Sequence, residues 1–315
     1  MSYAPRWRTI VAALGAALAL AACGDGVSPA DSASGGGAAS APSALAPGVA
    51  APALTGDIAR DGRNWINYRR AQAGVPVVVQ NAQIDNAALG HSEYLRINKL
   101  LSHDQEPGRQ GFTGIALGDR LAAAGYAIDP PRGFAYGEVI SGASNGSGFF
   151  MAEELITAIY HRFVIFEPMF REIGTGAASA SSYHYFTADF TSRNGYGPGI
   201  ARGAIVTWPV DGHVQVVPNF FSDTEQPDPV PNRNEVGYPI SVHTNLDSTL
   251  AVGSFTVRPR GGAALQVLRV DPLERANAAA IVPLLPLRAA TTYEVDFTGT
   301  VNGAAVTRAW SFTTR

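Results

Sequence analysis

Two histidines, His103 and His161, with Glu138 between them in the chain, are the residues here whose types could do chemistry. His103 follows a helical stretch and precedes the loop Asp104-Gln105-Glu106-Pro107-Gly108, and His161 stands beside Arg162 towards the end of an apolar helical run. Neutral imidazoles are good ligands for Zn²⁺ and similar divalent ions, and a nearby carboxylate can orient an imidazole or activate a water beside a metal. The same residues also suit a plainer role, in which both rings satisfy buried hydrogen bonds while Glu138 pairs with Arg162 or caps a helix. A Ser102, His103, Glu138 triad is disfavoured, because adjacent side chains diverge and a serine nucleophile takes its base from elsewhere in the chain. His161 could serve as that base, yet Ser102 does not stand in a G-x-S-x-G turn.

These residues must be positioned by elements that the apolar pattern predicts. Ile58, Trp65 and Ile66 recur at helical spacing and the helix stops at Gly74 and Pro76. A second helix spans about 81–99, with Ile84, Ala87, Ala88, His91 and Leu95 on one face, which makes His91 a core residue. A third, over 111–126, is capped by Thr113 and ended by Gly125. The organising stretch runs from Phe149 to Gly176: one amphipathic helix that delivers His161 and Arg162, a stop at Pro168, then a glycine turn at Gly174 and Gly176. Residues 182–190 alternate and read as a strand.

The rest of the chain bounds the setting. With 315 residues and 46% hydrophobic content, two domains are expected, and a net charge of -3 without a basic run excludes a nucleic-acid partner. Residues 1–22 read as a signal peptide, with Arg6 and Arg8 ahead of an apolar run too short and alanine-rich for a membrane span. The run ends Leu20-Ala21-Ala22-Cys23, similar to the bacterial lipobox, so Cys23 is the expected lipidation site and the membrane a partner through that anchor. As Cys23 is the only cysteine, the mature chain has no internal disulfide. Residues 23–53 are Ala, Ser, Gly and Pro and read as a disordered tether. The absence of aspartate directly after Cys23 favours a cell-envelope location at the outer membrane.

Past the first domain, assigned to 54–200, the span 201–234 reads as a hairpin padding that domain and a proline-rich linker. Residues 235–315 hold short alternating runs separated by turn residues, an all-β sandwich with no catalytic constellation, read as a spacer or adhesion module. Its pieces at 283–287, 292–295 and 310–314 resemble bacterial Ig-like domains.

Taken in order, Ser102-His103, Gly125-Tyr126, Gly137-Glu138, His161-Arg162 and Ile173-Gly174-Thr175-Gly176 resemble the pattern of bacterial members of the CAP superfamily, the cysteine-rich secretory, antigen 5 and pathogenesis-related-1 (SCP-like) proteins. The resemblance covers about 57–190 and implies an α+β class with the α-β-α sandwich of the CAP fold. It also implies a cleft of two histidines and two acidic residues that holds a divalent cation in several members, zinc or magnesium being the expected ions. His103, Glu138 and His161 take three of the four positions, with the two histidines as metal ligands. Glu154 is the candidate for the fourth: seven residues before His161, it shares a helix face but stands about 10 Å away along the axis. Glu153 points towards the Thr157 and Tyr160 side. Arg162 is expected to pair with Glu138, Glu167 or Glu172, and Tyr160, where many relatives carry glycine, narrows the cleft.

The function expected is non-catalytic binding of a divalent cation, with a small lipophilic or envelope-derived ligand as a further option. The alternatives are a peptide or ester hydrolase using the metal or a His/Glu pair, and a purely structural protein. Enzymatic activity is the less favoured reading.

Overall fold

The computed structural model describes residues 50–128 and 132–315. The signal peptide and Cys23 lie outside the described residues. Among those described, no helix is long and apolar enough to cross a membrane.

Helix α1, Ile58–Ala73, starts where the Asp57 carboxylate accepts from the Arg60 amide and ends at Gly74, whose φ of 74° closes the last turn. After the short strand β1, Val79–Gln80, Asn81 caps α2, Ala82–Asn98. Helix α3, Leu117–Ala123, is shorter than the spacing predicts: Thr113 donates its amide to Gln105 instead of capping, and Asp119 accepts from Ala116 at the helix start. Strand β2, Ala135–Ala143, the helices α4, Gly148–Thr157, and α5, Ile159–Ile165, and strands β3, Glu172–Ala180, and β4, Tyr183–Ser192, complete the first unit.

Its sheet has the order β1-β3-β4-β2, with β1 parallel to β3 and the other pairs antiparallel. Side chains alternate across the sheet, so register assigns each residue a face. One face carries Glu138, Asp189, Gly174, Thr187 and Gly176, and meets α2, where the Ser92 hydroxyl bonds Gly176 O and Thr187 Oγ1. The other carries Ser141, Phe186 and Thr175, and meets α1 and α4 through Thr175 to Ala59 O and Ser141 to Glu154. The unit is therefore three layers, helix on sheet on helix.

Gly174 and Gly176 do not form a turn. They lie inside β3, where a Cβ on Gly174 would strike the backbone of Ile84 and Asp85, and one on Gly176 that of Ala88 and Leu89. Side-chain-free positions let α2 lie directly on the strand. Gly176→Ala is expected to lower the unfolding free energy by about 1–3 kcal/mol through overpacking, read from urea midpoints. A wild-type midpoint would mean that α2 can lift from the sheet at no cost.

The single helix expected around Phe149–Glu167 is two. Ala158 is extended, with φ −69° and ψ 125°, so α4 ends and α5 begins around it. Both broken ends are satisfied by side chains. The amides of Ile159, Tyr160 and His161 donate to the Glu225 carboxylate, and Arg162 donates to the carbonyls of Ile156 and Thr157. Periodicity cannot show this, because the acid that stabilises the break lies far along the chain.

The second unit is β-rich. One sheet orders as β10 (Leu250–Pro259), β13 (Thr292–Val301), β14 (Ala304–Thr314), β6 (His213–Val216), and the other as β11 (Val267–Val270), β12 (Ala278–Pro283), β9 (Ile240–His243), β5 (Val206–Trp208). Val257, Val295, Phe297 and Phe312 of the first sheet share a core with Ile240, Val242 and Ile281 of the second. The expected hairpin at 201–221 is absent: β5 pairs antiparallel with β9, and β6 parallel with β14. Strand β7, Asn219–Phe221, pairs with β8, Glu235–Gly237.

The proline-rich stretch also differs from a linker. Glu225 and Val230 are 1% and 2% exposed, and Ser222 bonds Asp228 and Arg233 O. One core contains Trp65, Phe166 and Phe186 together with Trp208, Ile240 and Phe297, and the Phe166 and Trp208 rings meet edge to face at 5.0 Å. The two units are thus packed together and not merely tethered.

Candidate functional site

Glu138 sits in the middle of β2, not at a turn, on the face towards α2. Its Oε1 accepts from His103 Nδ1 at 2.8 Å and its Oε2 from Arg120 at 2.7 Å. Arg120, wholly buried on α3, also donates to the carbonyls of His103 and Ile115, which fixes the loop that carries His103. Burial alone would push the Glu138 carboxyl up, but Arg120, His91 and His103 outweigh it and hold the group well below the usual carboxylate range. His91 is the core residue expected: Gln105 donates to its Nδ1, its Nε2 donates to Ser102 O, and burial lowers it to about 4, leaving it neutral near pH 7. Asp189 stands opposite Glu138 across the β2–β4 ladder. Burial, then the Glu138 charge, push its carboxyl well up, and as an acid it has an O–H to offer.

His161 belongs to a second group on the other side of the sheet. Its Nδ1 donates to Glu225 Oε1 at 2.9 Å, and that carboxylate is buried. Glu154, on α4, accepts from Ser141 at 3.3 Å; burial raises its carboxyl, while Ser141 and the neighbouring His161 pull it back. The helix-face argument for Glu154 and His161 assumed a continuous helix and does not survive the break at Ala158. Glu153 turns to α1, where it takes Trp65 Nε1 and Arg69. Arg162 reaches none of the three expected glutamates; its side chain donates to Ile156 O, Thr157 O, Pro239 O and Ser241 Oγ.

The structure therefore joins His103 to Glu138, and His161 to Glu225 with Glu154 nearby. Glu138 and Ser141, three residues apart on β2, face opposite ways, and β2 is an edge strand, so a cleft shared by both groups has to run around that edge. Arg120 and Glu225 were not found from sequence. Arg120 carries no motif signal, and Glu225 lay in a segment whose composition resembles a linker.

Residues 64–190 match the CAP family, described as the cysteine-rich secretory protein family. This segment is similar to CAP domains. The match spans less than half of the chain, and the β-rich unit lies beyond it. A search of the curated proteins finds no match. Among solved structures, the 1.5 Å crystal structure of an extracellular protein containing a SCP domain from Bacillus anthracis is 22% identical, with 42% of this chain and 39% of that chain covered and a TM-score of 0.36. An outer surface protein from Borrelia burgdorferi is 11% identical over 42% of this chain and 89% of that one, with a TM-score of 0.35.

Whether the side chains of this CAP-like segment suit a cation turns on their free atoms. A carboxylate only accepts, so Nδ1 of both His103 and His161 carries the hydrogen, and Nε2 of each makes no hydrogen bond among the described residues. Imidazoles held this way by a carboxylate are the usual form of a metal-binding histidine. Among the described residues, no group of three or more His, Cys, Asp or Glu could hold a metal ion. The donor type of each ring suits a cation, while the two rings belong to separate groups, so a site that used both would have to span the edge of the sheet at β2.

Proposed function

We propose that this chain is a non-catalytic binding protein of the cell envelope, anchored through Cys23, whose CAP domain takes a divalent cation on Nε2 of His103 and His161. The observation that carries this reading is the state of Glu138. Its two oxygens are committed to His103 and Arg120, and the carboxyl is held far below the range in which a general base works near neutral pH. Such an acid orients a ring and does not abstract a proton. Ser102 is no better placed as a nucleophile, since its hydroxyl donates to Asp104 O. A cation here would supply positive charge to an anionic ligand, while Glu138 and Glu225 hold the two rings and Arg120 holds the His103 loop.

The lipophilic option rests on a different place, a mainly apolar cavity of about 70 Å³ between α5 and the segment 272–278, lined by Phe163, Val164, Phe170, Leu246 and Leu273. That is well below the roughly 300–1,000 Å³ of most small-molecule sites, so the cavity suits the apolar end of a ligand and not a whole one. The resemblance of the β-rich unit to Ig-like domains fits a protein that displays its CAP domain at a surface.

Zinc calorimetry tests the cation reading. Wild-type protein is expected to bind zinc, and the double variant His103→Ala, His161→Ala to show no heat of binding. Zinc uptake unchanged by the double variant would sink it. Turnover of a peptide or ester library that disappears in Glu138→Gln would reinstate the hydrolase.

A further inference from the structure

Glu225 does more than close the broken helix. Its Oε2 accepts from Ile159 N at 2.8 Å, and its Oε1 from Tyr160 N at 2.6 Å, His161 N at 3.0 Å and the His161 ring at 2.9 Å. The three amide bonds explain where α5 starts. They do not require a bond to the imidazole, which fixes one ring nitrogen and turns the other away from the acid. Glu225 itself is immobilised: it is 1% exposed, directly after the 3-10 turn Ser222–Thr224, and its own amide bonds Ser222 O. That turn is held by Ser222, which donates to Asp228 and to Arg233 O and whose amide bonds Asn234 O at the start of β8. The chain of contacts thus runs from the β-rich unit to one ring of the CAP domain.

We infer that Glu225 is a positioning residue for His161, so that the candidate site is completed by a segment outside the CAP domain. This deepens the cation reading and rests on it for the role of His161, but the ring geometry can be tested alone. The segment 222–235 is then part of the site and not a spacer. The two histidines come to have the same device, an imidazole with Nδ1 held by a buried carboxylate, Glu138 from within the CAP domain and Glu225 from beyond it.

The experiment uses the full mature chain labelled with ¹⁵N-histidine, with ring nitrogens read by long-range ¹H–¹⁵N correlation above the histidine titration range, beside zinc calorimetry. Wild-type His161 is expected to show the Nδ1–H tautomer. Glu225→Ala is expected to shift His161 towards Nε2–H, leave His103 unchanged because Glu138 is intact, and weaken zinc binding by about 10–100-fold. Glu225→Gln, which keeps one acceptor oxygen, should recover part of both. If Glu225→Ala does not fold, the wild-type tautomer and the glutamine variant decide. A wild-type His161 in the Nε2–H form, or a tautomer unmoved by either substitution, overturns the inference. Failure of the wild-type protein to bind zinc retires the cation reading instead and leaves the ring result to decide this one.

Discussion

Arg162→Ala is expected to lower the unfolding free energy by about 4 kcal/mol, because buried carbonyls stripped of their donor cost about 1–3 kcal/mol each. Arg162 is fully buried and donates to Ile156 O and Pro239 O at 2.6 Å, to Thr157 O at 3.2 Å and to Ser241 Oγ at 3.3 Å, with its guanidinium 4.9 Å from the Tyr238 ring. Two of these acceptors are the free carbonyls at the end of α4, and two belong to the β-rich unit. One side chain therefore stabilises both the helix break and the junction. Burial lowers its pKa, and no carboxylate contacts it directly, so its charge is spread over carbonyl dipoles and an aromatic face. Arg162→Met separates the contributions, since it restores volume but no donors. If hydrogen bonding dominates, methionine recovers little in urea unfolding, and the alanine variant loses the single transition expected of two units with one core. Wild-type stability in Arg162→Ala would mean that the junction holds by packing alone.

The reach of the sequence reading can be judged from the same residues. Helix ends fixed by local chemistry were legible: Gly74 terminates α1, and the Asn81 cap starts α2 where the pattern placed it. So was the layered mixture of helix and sheet, and the CAP match over 64–190 agrees with the ordered motif set. His103 beside Glu138 was also found. What failed depended on partners distant in the chain. An apolar run from Phe149 reads as one helix because the acid that stabilises its break is supplied by Glu225. Gly174 and Gly176 read as a turn because glycine permits turns as well as close packing, and only α2 lying on β3 distinguishes the two. Short strands β5 and β6 carry too few residues to show which sheet they join. Arg162 was assigned to a glutamate because opposite charges attract, but a buried guanidinium with five donors can be satisfied by carbonyls instead.

Glu138→Ala is expected to cost about 3–5 kcal/mol near pH 7, since it removes one partner of a buried ion pair and leaves Arg120 as an uncompensated buried cation. Arg120 is 1% exposed and its remaining bonds are to the carbonyls of His103 and Ile115, so it cannot turn to water without releasing the His103 loop. The pH dependence gives the sign. The Glu138 carboxyl is depressed in the folded state, so its contribution is present above its unfolded value of 4.5 and is lost as pH falls below that towards the folded value. The gap between wild type and variant should thus be widest at neutral pH and shrink through the acid range. Neighbouring His91, lowered to about 4 chiefly by burial, also titrates there: its contribution is present above 6.5 and is lost as pH falls towards 4, and because Glu138 raises it, the Glu138→Ala variant moves that loss to lower pH. Asp189 works the other way, because the rise in its carboxyl comes first from burial and then from Glu138, and loss of Glu138 relieves the second cause. Urea unfolding of wild type and Glu138→Ala across the acid range separates these. A gap that is constant with pH would show that Glu138 acts by packing and not by charge, and would remove the electrostatic reason for treating it as an orienting acid instead of a base.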